Sequence, residues 1–304
     1  MSNSSQQSDD YNSIIDPEYK GDDIVVLPMF INFETIYFIV ESYIFKSREF
    51  AGNFELKERD NSSNEFVYLF DTETKGFDFP AFSVSAAPFS DKSTPFHFHT
   101  HPVFGKENSN IMHWPSRVDI HGMFRLDEEH INKWKFIEFV FSIDGVYIVQ
   151  YHPDILLFFN INSTMENLRY YMLDRINDTF DKCRKKCIVP VAYNDSFDVI
   201  KYIQSTRYKR MACISRYVKM INNMKFGDYK VLNMTFVSFK EIQNKGKLDF
   251  DFIFPEFLRD KINITYNNET HRQIIKDTGI TPDRYNILEF INDTETEYLK
   301  REQH

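Results

Sequence analysis

The segment from Phe96 to Pro102, Phe-His-Phe-His-Thr-His-Pro, constrains the fold most strongly because it places a histidine at every second position. Such alternation is typical of a β-strand, in which residues i and i+2 point to the same face of the sheet. The segment therefore predicts a strand that carries His97, His99 and His101 on one face and ends at Pro102, which cannot donate to a sheet ladder. Imidazoles arranged in this way can converge on one metal ion, although histidines on strands are more often hydrogen-bonded or solvated.

A helix start follows the histidine strand. Ser116 stands where an N-cap is expected, directly after Pro115, and Asp119 comes three residues later, which is close to a capping box. A capping box needs no metal to explain it. The same geometry nevertheless places the hydroxyl and the carboxylate on one side of the first helical turn, where both are available to a site beyond the helix start. The strand and the helix start therefore predict one shared site.

The composition predicts a globular protein. Of 304 residues, 42% are hydrophobic and 16% aromatic, with only 9 Gly and 11 Pro, which excludes collagen-like and largely disordered chains. No apolar run reaches the ~20 residues that a membrane span needs, so we expect no membrane partner. The polar and acidic first residues predict a disordered tail over residues 1–23 and lack the features of a secretory signal.

Cysteine usage and charge give expectations about compartment and partners. Three cysteines cannot form a disulfide framework; Cys183 and Cys187 lie four residues apart and Cys213 stands alone. This usage predicts a reducing compartment, and hence an intracellular, cytoplasmic protein, or a virion-associated one if the chain is viral. The net charge of −9 gives no reason to expect nucleic acid. Only the basic block from Lys201 to Lys247 could bind a polyanion, the alternative being an ordinary charged surface.

The hydrophobic periodicity predicts alternating strands and helices up to about residue 155, which is an α/β pattern. The predicted strands are Ile24–Phe30, one that begins near Gly52, its hairpin partner Phe66–Phe70, the histidine strand, and Phe136–Ser142 with Val146–Tyr151, joined across Asp144 and Gly145. The predicted helices are one that ends near Phe45, Ser116–Lys135 and Thr164–Lys186. Beyond Pro190 the pattern is mixed, with β-rich or aromatic runs at Val231–Phe239 and Phe250–Phe257.

The order of a glutamate, then His-Thr-His-Pro, then Ser-x-x-Asp resembles the JAMM (MPN+ or JAB) zinc metallopeptidases, which include deubiquitinases. The resemblance implies that His99, His101 and Asp119 bind Zn²⁺ and that Ser116 lies beside the attacked carbonyl. His121, two residues after Asp119, is a candidate for supporting the ligands. A zinc ion held by two imidazoles and a carboxylate can lower the pKa of a bound water molecule to about 7.

The upstream glutamate of this pattern is identified as Glu49. The run from Ser47 to Gly52, Ser-Arg-Glu-Phe-Ala-Gly, resembles the family's Glu-x-x-Gly at the start of a strand. The resemblance implies that Glu49 is the general base, which takes the proton of the attacking water and passes it to the leaving amine. Glu55 and Glu58 remain the alternatives. A solvated charge at a helix end is the explanation of Glu49 that involves no catalysis.

The resemblance covers residues 24–155, including Phe141–Ile148, which is similar to the family's late strand pair. It departs from the family in the thirteen residues from Val103 to Pro115, a longer loop than usual. Loops accept insertions at small entropic cost, so the ligands need not be disturbed. The loop borders the expected cleft, and Trp114 and Phe104 are its predicted apolar contacts with substrate.

The resemblance implies an α/β MPN (JAB-like) domain over residues 24–187, a mixed sheet flanked by helices. A C-terminal α+β module of unknown function is expected over residues 188–304. The implied activity is that of a zinc-dependent peptidase or isopeptidase acting on a protein substrate such as a ubiquitin-like conjugate. The alternatives are a non-catalytic scaffold within a larger assembly such as a viral particle, and a JAMM hydrolase of a small amide. Scaffold members of the family usually lack the metal residues, which this chain retains.

Overall fold

The strands and helices were located in a computed structural model of the chain. It describes residues 24–44, 51–57, 65–69, 96–101, 114–123, 137–161, 165–187, 199–261 and 266–267. The predicted tail, residues 1–23, lies outside these ranges.

Strands and helices are mixed along the first half of the described chain. The strands are β1 (Ile24–Asn32), β2 (Ala51–Lys57), β3 (Glu65–Leu69), β4 (Phe96–Thr100), β5 (Ile137–Phe141), β6 (Gly145–Tyr151), β7 (Lys225–Phe226), β8 (Tyr229–Lys230), β9 (Leu232–Ser238), β10 (Lys247–Pro255) and β11 (Tyr266–Asn267). The helices are α1 (Phe33–Tyr43), α2 (Arg117–Met123), α3 (Pro153–Ile161), α4 (Met165–Lys186), α5 (Val199–Asn222), α6 (Phe239–Lys245) and a 3-10 helix (Glu256–Lys261). Within the described part of the chain, no helix has the length and apolar composition needed to cross a bilayer.

Most of the predicted elements are confirmed. The five strands predicted before residue 142, the hairpin that follows Phe136 and the helix predicted from Thr164 all have counterparts in the structure. The helix predicted from Ser116 to Lys135 is confirmed as α2 over its first part, while residues 124–136 lie outside the described ranges. The long helix α5 and the short α3 were not predicted.

Nine of the described strands form one mixed sheet; eight of them follow the order β10-β1-β3-β2-β4-β5-β6-β9, and β11 pairs with β2 beside this path. β1 is parallel to β3 and β4 is parallel to β5, whereas the other neighbours along the path are antiparallel. An open mixed sheet with helices is an α/β architecture, as the sequence predicted.

Strand β4 separates an aromatic face of the sheet from a histidine face. Phe96 and Phe98 share one face with Phe54 of β2 and Phe139 of β5; the ring centre of Phe54 lies 4.9 Å from that of Phe98 and 5.2 Å from that of Phe139. β10 covers this face, with Phe252 5.2 Å from Phe96. The histidines occupy the opposite face because successive side chains alternate. All five residues of β4 are buried, so its polar side chains face the protein interior.

The parallel pairing of β4 with β5 determines where α2 lies. The register runs from Phe96 opposite Ile137 to Thr100 opposite Phe141, and the backbone N–H of His101 extends it by donating to the Phe141 carbonyl at 2.8 Å. Parallel neighbours need a crossover connection, and α2 is the described part of it. The crossover brings the first turn of α2 to the end of the sheet where β4 stops.

Residues after 187 complete the same sheet. β9 pairs with β6 over seven residues, from Leu232 opposite Tyr151 to Ser238 opposite Gly145. β10 pairs with β1 over nine residues, from Lys247 to Pro255. The division into a domain over residues 24–187 and a C-terminal module over residues 188–304 stays a prediction, but strands from both parts belong to one sheet.

A buried ion pair joins α5 to the turn between β5 and β6. Arg210 is fully buried; its Nε donates to Oδ2 of Asp144 at 2.8 Å and its Nη2 donates to Oδ1 at 2.7 Å. Its Nη1 donates to Oγ1 of Thr206 at 2.8 Å. Such two-pronged contacts are the strongest of arginine–carboxylate geometries. The pair therefore fixes α5 against the sheet.

Part of the predicted basic block lies inside the protein. Arg210 and Tyr217 are buried, whereas Lys209, Arg216 and Lys219 are exposed on α5. Any polyanion would have to bind the exposed cations, and such binding stays a prediction.

The expectation that Cys213 stands alone is wrong. Cys213 on α5 forms a disulfide with Cys187 at the end of α4, with the two Cα atoms 5.8 Å apart. Cys183 is buried one turn earlier, with its Sγ 3.0 Å from Sδ of Met220. The pairing could not be read from spacing because α4 and α5 meet only in the fold. The disulfide removes the argument from cysteine usage for a reducing compartment, and the cytoplasmic location stays a prediction.

Replacing Arg210 should leave the carboxylate of Asp144 buried without its counter-charge. Arg210→Leu should lower the free energy of unfolding by about 3–5 kcal/mol, because it leaves Asp144 buried and uncompensated. Asp144→Asn in the same chain should recover part of this loss by removing the charge. Denaturant unfolding of wild type and the two variants measures both effects. An Arg210→Leu variant as stable as wild type would show that the pair does not fix α5.

The disulfide closes a loop between residues 26 positions apart, so its removal should be measurable. Cys213→Ser should lower the free energy of unfolding by about 3 kcal/mol, because the unfolded chain gains conformational freedom. Dithiothreitol should destabilise wild type similarly and leave Cys213→Ser unchanged. If dithiothreitol destabilises both proteins equally, the effect does not come from this bond.

Candidate metal centre

Three predicted ligands meet at the end of β4. His99 and His101 project from the same face of the strand, and Asp119 lies in the first turn of α2. The Nε2 atoms of the two histidines are 3.1 Å apart. Oδ1 of Asp119 lies 3.5 Å from Nε2 of His99, and its Oδ2 lies 3.2 Å from Nε2 of His101. The crossover between β4 and β5 thus brings together residues that the sequence separates by up to 20 positions.

These separations fit a tetrahedral zinc site. Zinc–nitrogen and zinc–oxygen bonds of about 2.0–2.2 Å at tetrahedral angles place ligand atoms roughly 3.3–3.5 Å apart. The shortest separations, 3.1, 3.2 and 3.5 Å, lie close to this range, and the two distances to Asp119 are measured to its two different carboxylate oxygens. Two imidazoles and one carboxylate favour zinc or another transition metal, since Mg²⁺ and Ca²⁺ prefer oxygen ligands throughout. The residues present therefore fit the metal that the resemblance implies.

The other nearby histidines do not belong to this group. Among the described residues, the His, Cys, Asp and Glu side chains that could jointly hold a metal are His99, His101 and Asp119, with ligand atoms within 4.8 Å of one another. His97 shares the histidine face and is equally buried, but it lies outside the group. His121 is half-buried in α2 and also lies outside it.

The capping box predicted at Ser116 is present, and it also positions the ligand. The backbone N–H of Asp119 donates to Oγ of Ser116 at 3.2 Å, and the backbone N–H of Ser116 donates to Oδ2 of Asp119. This reciprocal pair satisfies two orphan donors at the helix start. The capping and metal explanations are therefore compatible, because one carboxylate caps the helix and faces both imidazoles.

Both ends of α2 are held by tyrosines from other elements. Tyr217 of α5 donates its hydroxyl to the carbonyl of Pro115 at 2.8 Å. Tyr151 of β6 donates its hydroxyl to the carbonyl of Met123. Trp114 stacks on Tyr217 with ring centres 4.5 Å apart. One face of the Trp114 ring therefore packs against α5. Its predicted contact with substrate stays a prediction. Phe104 lies outside the described ranges, as do all of residues 103–113.

The buried charges act strongly on one another. Burial alone lowers the pKa of His99, but attraction and hydrogen bonds from Asp119 and Glu138 outweigh it and raise the pKa well above the usual value. Burial alone raises the pKa of Asp119, but His99 and His101 outweigh it and lower the pKa well below the usual range. A metal needs a neutral imidazole, so its binding would release the proton that the carboxylates hold on His99.

Glu138 of β5 was not among the predicted site residues. Its Oε1 lies 2.6 Å from Nδ1 of His99, and the residue is buried. The sequence did contain a signal, because Glu138 interrupts an otherwise apolar run at the start of a predicted hairpin. Glu138 and His99 are 39 positions apart in the sequence, so only the pairing of β5 with β4 shows which side chain the carboxylate contacts.

The pairing of β2 with β4 helps to decide between the candidate general bases. Ala51 pairs with His99 and Asn53 pairs with His97, so the chain leaves the site as it proceeds along β2. Glu55 lies four residues beyond Ala51, about 13 Å at the rise of a strand. This distance disfavours Glu55. Glu49 and Glu58 lie outside the described residues.

The family interpretation depends on the motif and on this geometry. Comparison with models of protein families, with curated proteins and with solved structures finds no match in any of the three. Membership of the JAMM family therefore stays a prediction.

His97 and His101 provide a matched pair of substitutions, because they share a face and a degree of burial. His101→Ala should lose most of its bound metal, since two protein ligands hold an ion poorly. His97→Ala should keep about one metal ion per chain. Elemental analysis of the purified, dialysed proteins measures both values. Equal metal loss in the two variants would show that His97 is a ligand or that the loss follows from misfolding.

Proposed function

We propose that the chain is a zinc-dependent metallopeptidase or isopeptidase of the JAMM type, with an MPN-like α/β fold. The observation that carries the proposal is the convergence of His99, His101 and Asp119, with contacts of 3.1–3.5 Å, at a strand end and a capped helix start. The side chains of His99 and His101 keep 11% and 10% exposure, so the group is not sealed from solvent. A substrate carbonyl could therefore reach it.

His99, His101 and Asp119 would hold Zn²⁺, which when bound supplies an acidified water and a Lewis acid for the carbonyl oxygen. Ser116 would assist at the same place. Its Oγ accepts from the N–H of Asp119, so its own proton remains available for a developing oxyanion. Tyr217 of α5 would keep this helix start in place by stacking on Trp114 and donating to the carbonyl of Pro115.

Glu49 would act as the general base. It precedes Ala51 by two residues, and Ala51 is the residue of β2 that pairs with His99. Glutamate can take a proton from water and return it to the leaving amine, which the hydrolysis of an amide requires. Glu55, the alternative within the described residues, lies too far along β2 to serve.

The substrate we propose is a protein carrying an isopeptide or peptide bond, with ubiquitin-like conjugates as the first candidates. The loop from Val103 to Pro115 would influence which substrate enters, because it directly precedes the helix that carries Ser116 and Asp119. No described feature favours the scaffold alternative, since a scaffold needs no aligned set of metal ligands.

Glu49→Gln should retain zinc and fold but lose hydrolysis by roughly 100-fold or more, because the near-isosteric amide cannot accept the proton. The measurement is cleavage of a panel of linkage-defined ubiquitin and ubiquitin-like conjugates and generic peptides, with zinc content determined on the same samples. Glu55→Gln is the matched control and should cleave like wild type.

Other outcomes would redirect the proposal. Loss of zinc in Glu49→Gln would show that Glu49 is a ligand. Loss of activity in Glu55→Gln would show that Glu55, and not Glu49, is the general base. If zinc-loaded wild type cleaves nothing and is found stably built into a larger assembly, the scaffold alternative replaces the enzyme.

A further inference from the structure

A buried carboxylate on β5 contacts His99 on the edge of the ring opposite to the other two candidate ligands. Glu138 lies in the strand Ile-Glu-Phe-Val-Phe, whose five residues are all buried. Burying a carboxylate among apolar side chains is costly unless a partner compensates for the lost water. The partner is His99, whose Nδ1 lies 2.6 Å from Oε1 of Glu138. This contact is short enough for a charge-assisted hydrogen bond.

The contact determines which nitrogen of His99 faces the other ligands. A carboxylate can only accept, so Nδ1 must carry the hydrogen in this bond. Nε2 is then the ring nitrogen available to a metal; it lies on the opposite edge of the ring, 3.1 Å from Nε2 of His101 and 3.5 Å from Oδ1 of Asp119. The ring is therefore presented to the group through the nitrogen that a metal would need.

The same geometry separates Glu138 from the role of general base. A base must reach a water on the side of the metal, within about 3 Å or through one further water. Glu138 touches His99 at Nδ1, whereas Asp119 and His101 meet the ring at Nε2. The imidazole stands between the carboxylate and the place where the reaction would occur.

We propose that Glu138 is a positioning residue that orients His99 and thereby sets the affinity of the site for its metal. The proposal deepens the proposed function and rests on its metal site, though not on the hydrolysis. Carboxylates that hold the second nitrogen of a metal-binding histidine typically contribute 10- to 100-fold to metal affinity. Glu138→Gln, which keeps the shape but makes the acceptor neutral, should weaken zinc binding by about 10-fold, and Glu138→Leu by about 100-fold.

The control must lose partly buried side-chain hydrogen bonds elsewhere. Asn222 of α5 donates from Nδ2 to the carbonyl of Met234 at 2.9 Å and accepts from its N–H at 2.6 Å, which links α5 to β9. Asn222→Ala should therefore destabilise the fold without touching His99. It separates an effect on the metal from an effect on stability.

The experiment titrates metal-free, full-length wild type, Glu138→Gln, Glu138→Leu and Asn222→Ala with Zn²⁺ against a chromophoric chelator. Thermal unfolding of each protein establishes that it is folded under the conditions used. Weakened zinc binding in the Glu138 variants, with Asn222→Ala binding like wild type, supports the proposal. Glu138→Gln alone carries the test if Glu138→Leu does not fold.

Three results would overturn the role of Glu138. Equal zinc affinity of wild type and Glu138→Gln would overturn it. A loss of zinc affinity in Asn222→Ala as large as that in the Glu138 variants would also overturn it. If wild type hydrolyses a conjugate, Glu138→Gln should regain its rate at saturating zinc; inactivity at every zinc concentration would make Glu138 a base. Wild type that binds no zinc would instead reject the metal site itself, which distinguishes failure of the proposed function from failure of this inference.

Discussion

The burial of two imidazoles and two carboxylates at the end of β4 is the constraint on which the surrounding structure depends. Charged groups are costly to bury unless each is matched by a partner. His99 has a carboxylate on each of its nitrogens, Glu138 on one side and Asp119 on the other. His101 shares Asp119 with it. The cluster can be tolerated only if three separate elements hold their side chains in register.

The fold supplies that register through backbone pairing and capping. β4 is paired on both sides, with β2 and with β5, so its histidines cannot shift without breaking two ladders. The reciprocal hydrogen bonds between Ser116 and Asp119 orient the carboxylate on α2. Tyr151 anchors the far end of the same helix. The ligands are therefore positioned by backbone geometry and by contacts on the far side of each element.

Residues beyond 187 take part in this frame. α5 holds the carbonyl before Ser116 through Tyr217 and the turn before β6 through Arg210. β9 continues the sheet from β6, and Gly145 permits its close approach, because a Cβ there would collide with the carbonyl of Val237. The C-terminal half therefore supports the helix that carries Asp119.

Local signals in the sequence predicted the parts of the site that depend on neighbours along the chain. Alternation identified β4, and the cap identified the start of α2. The turn at Asp144 and Gly145 was also predicted. The sequence did not show that Asp144 pairs with Arg210, which lies 66 positions away.

Partners that are distant in sequence could not be predicted in this way. Glu138 meets His99 and Cys213 meets Cys187 only after the sheet and the helices have assembled. The helix α5 was missed because its basic residues obscure the buried positions of Ile214, Tyr217 and Ile221.

X-ray absorption at the zinc edge of the purified protein tests the central claim most directly. The account predicts about one zinc per chain, a first shell of nitrogen and oxygen at about 2.0–2.2 Å, and outer-shell scattering from two imidazoles. Absence of zinc, or a sulfur ligand at about 2.3 Å, would contradict a site made of His99, His101 and Asp119.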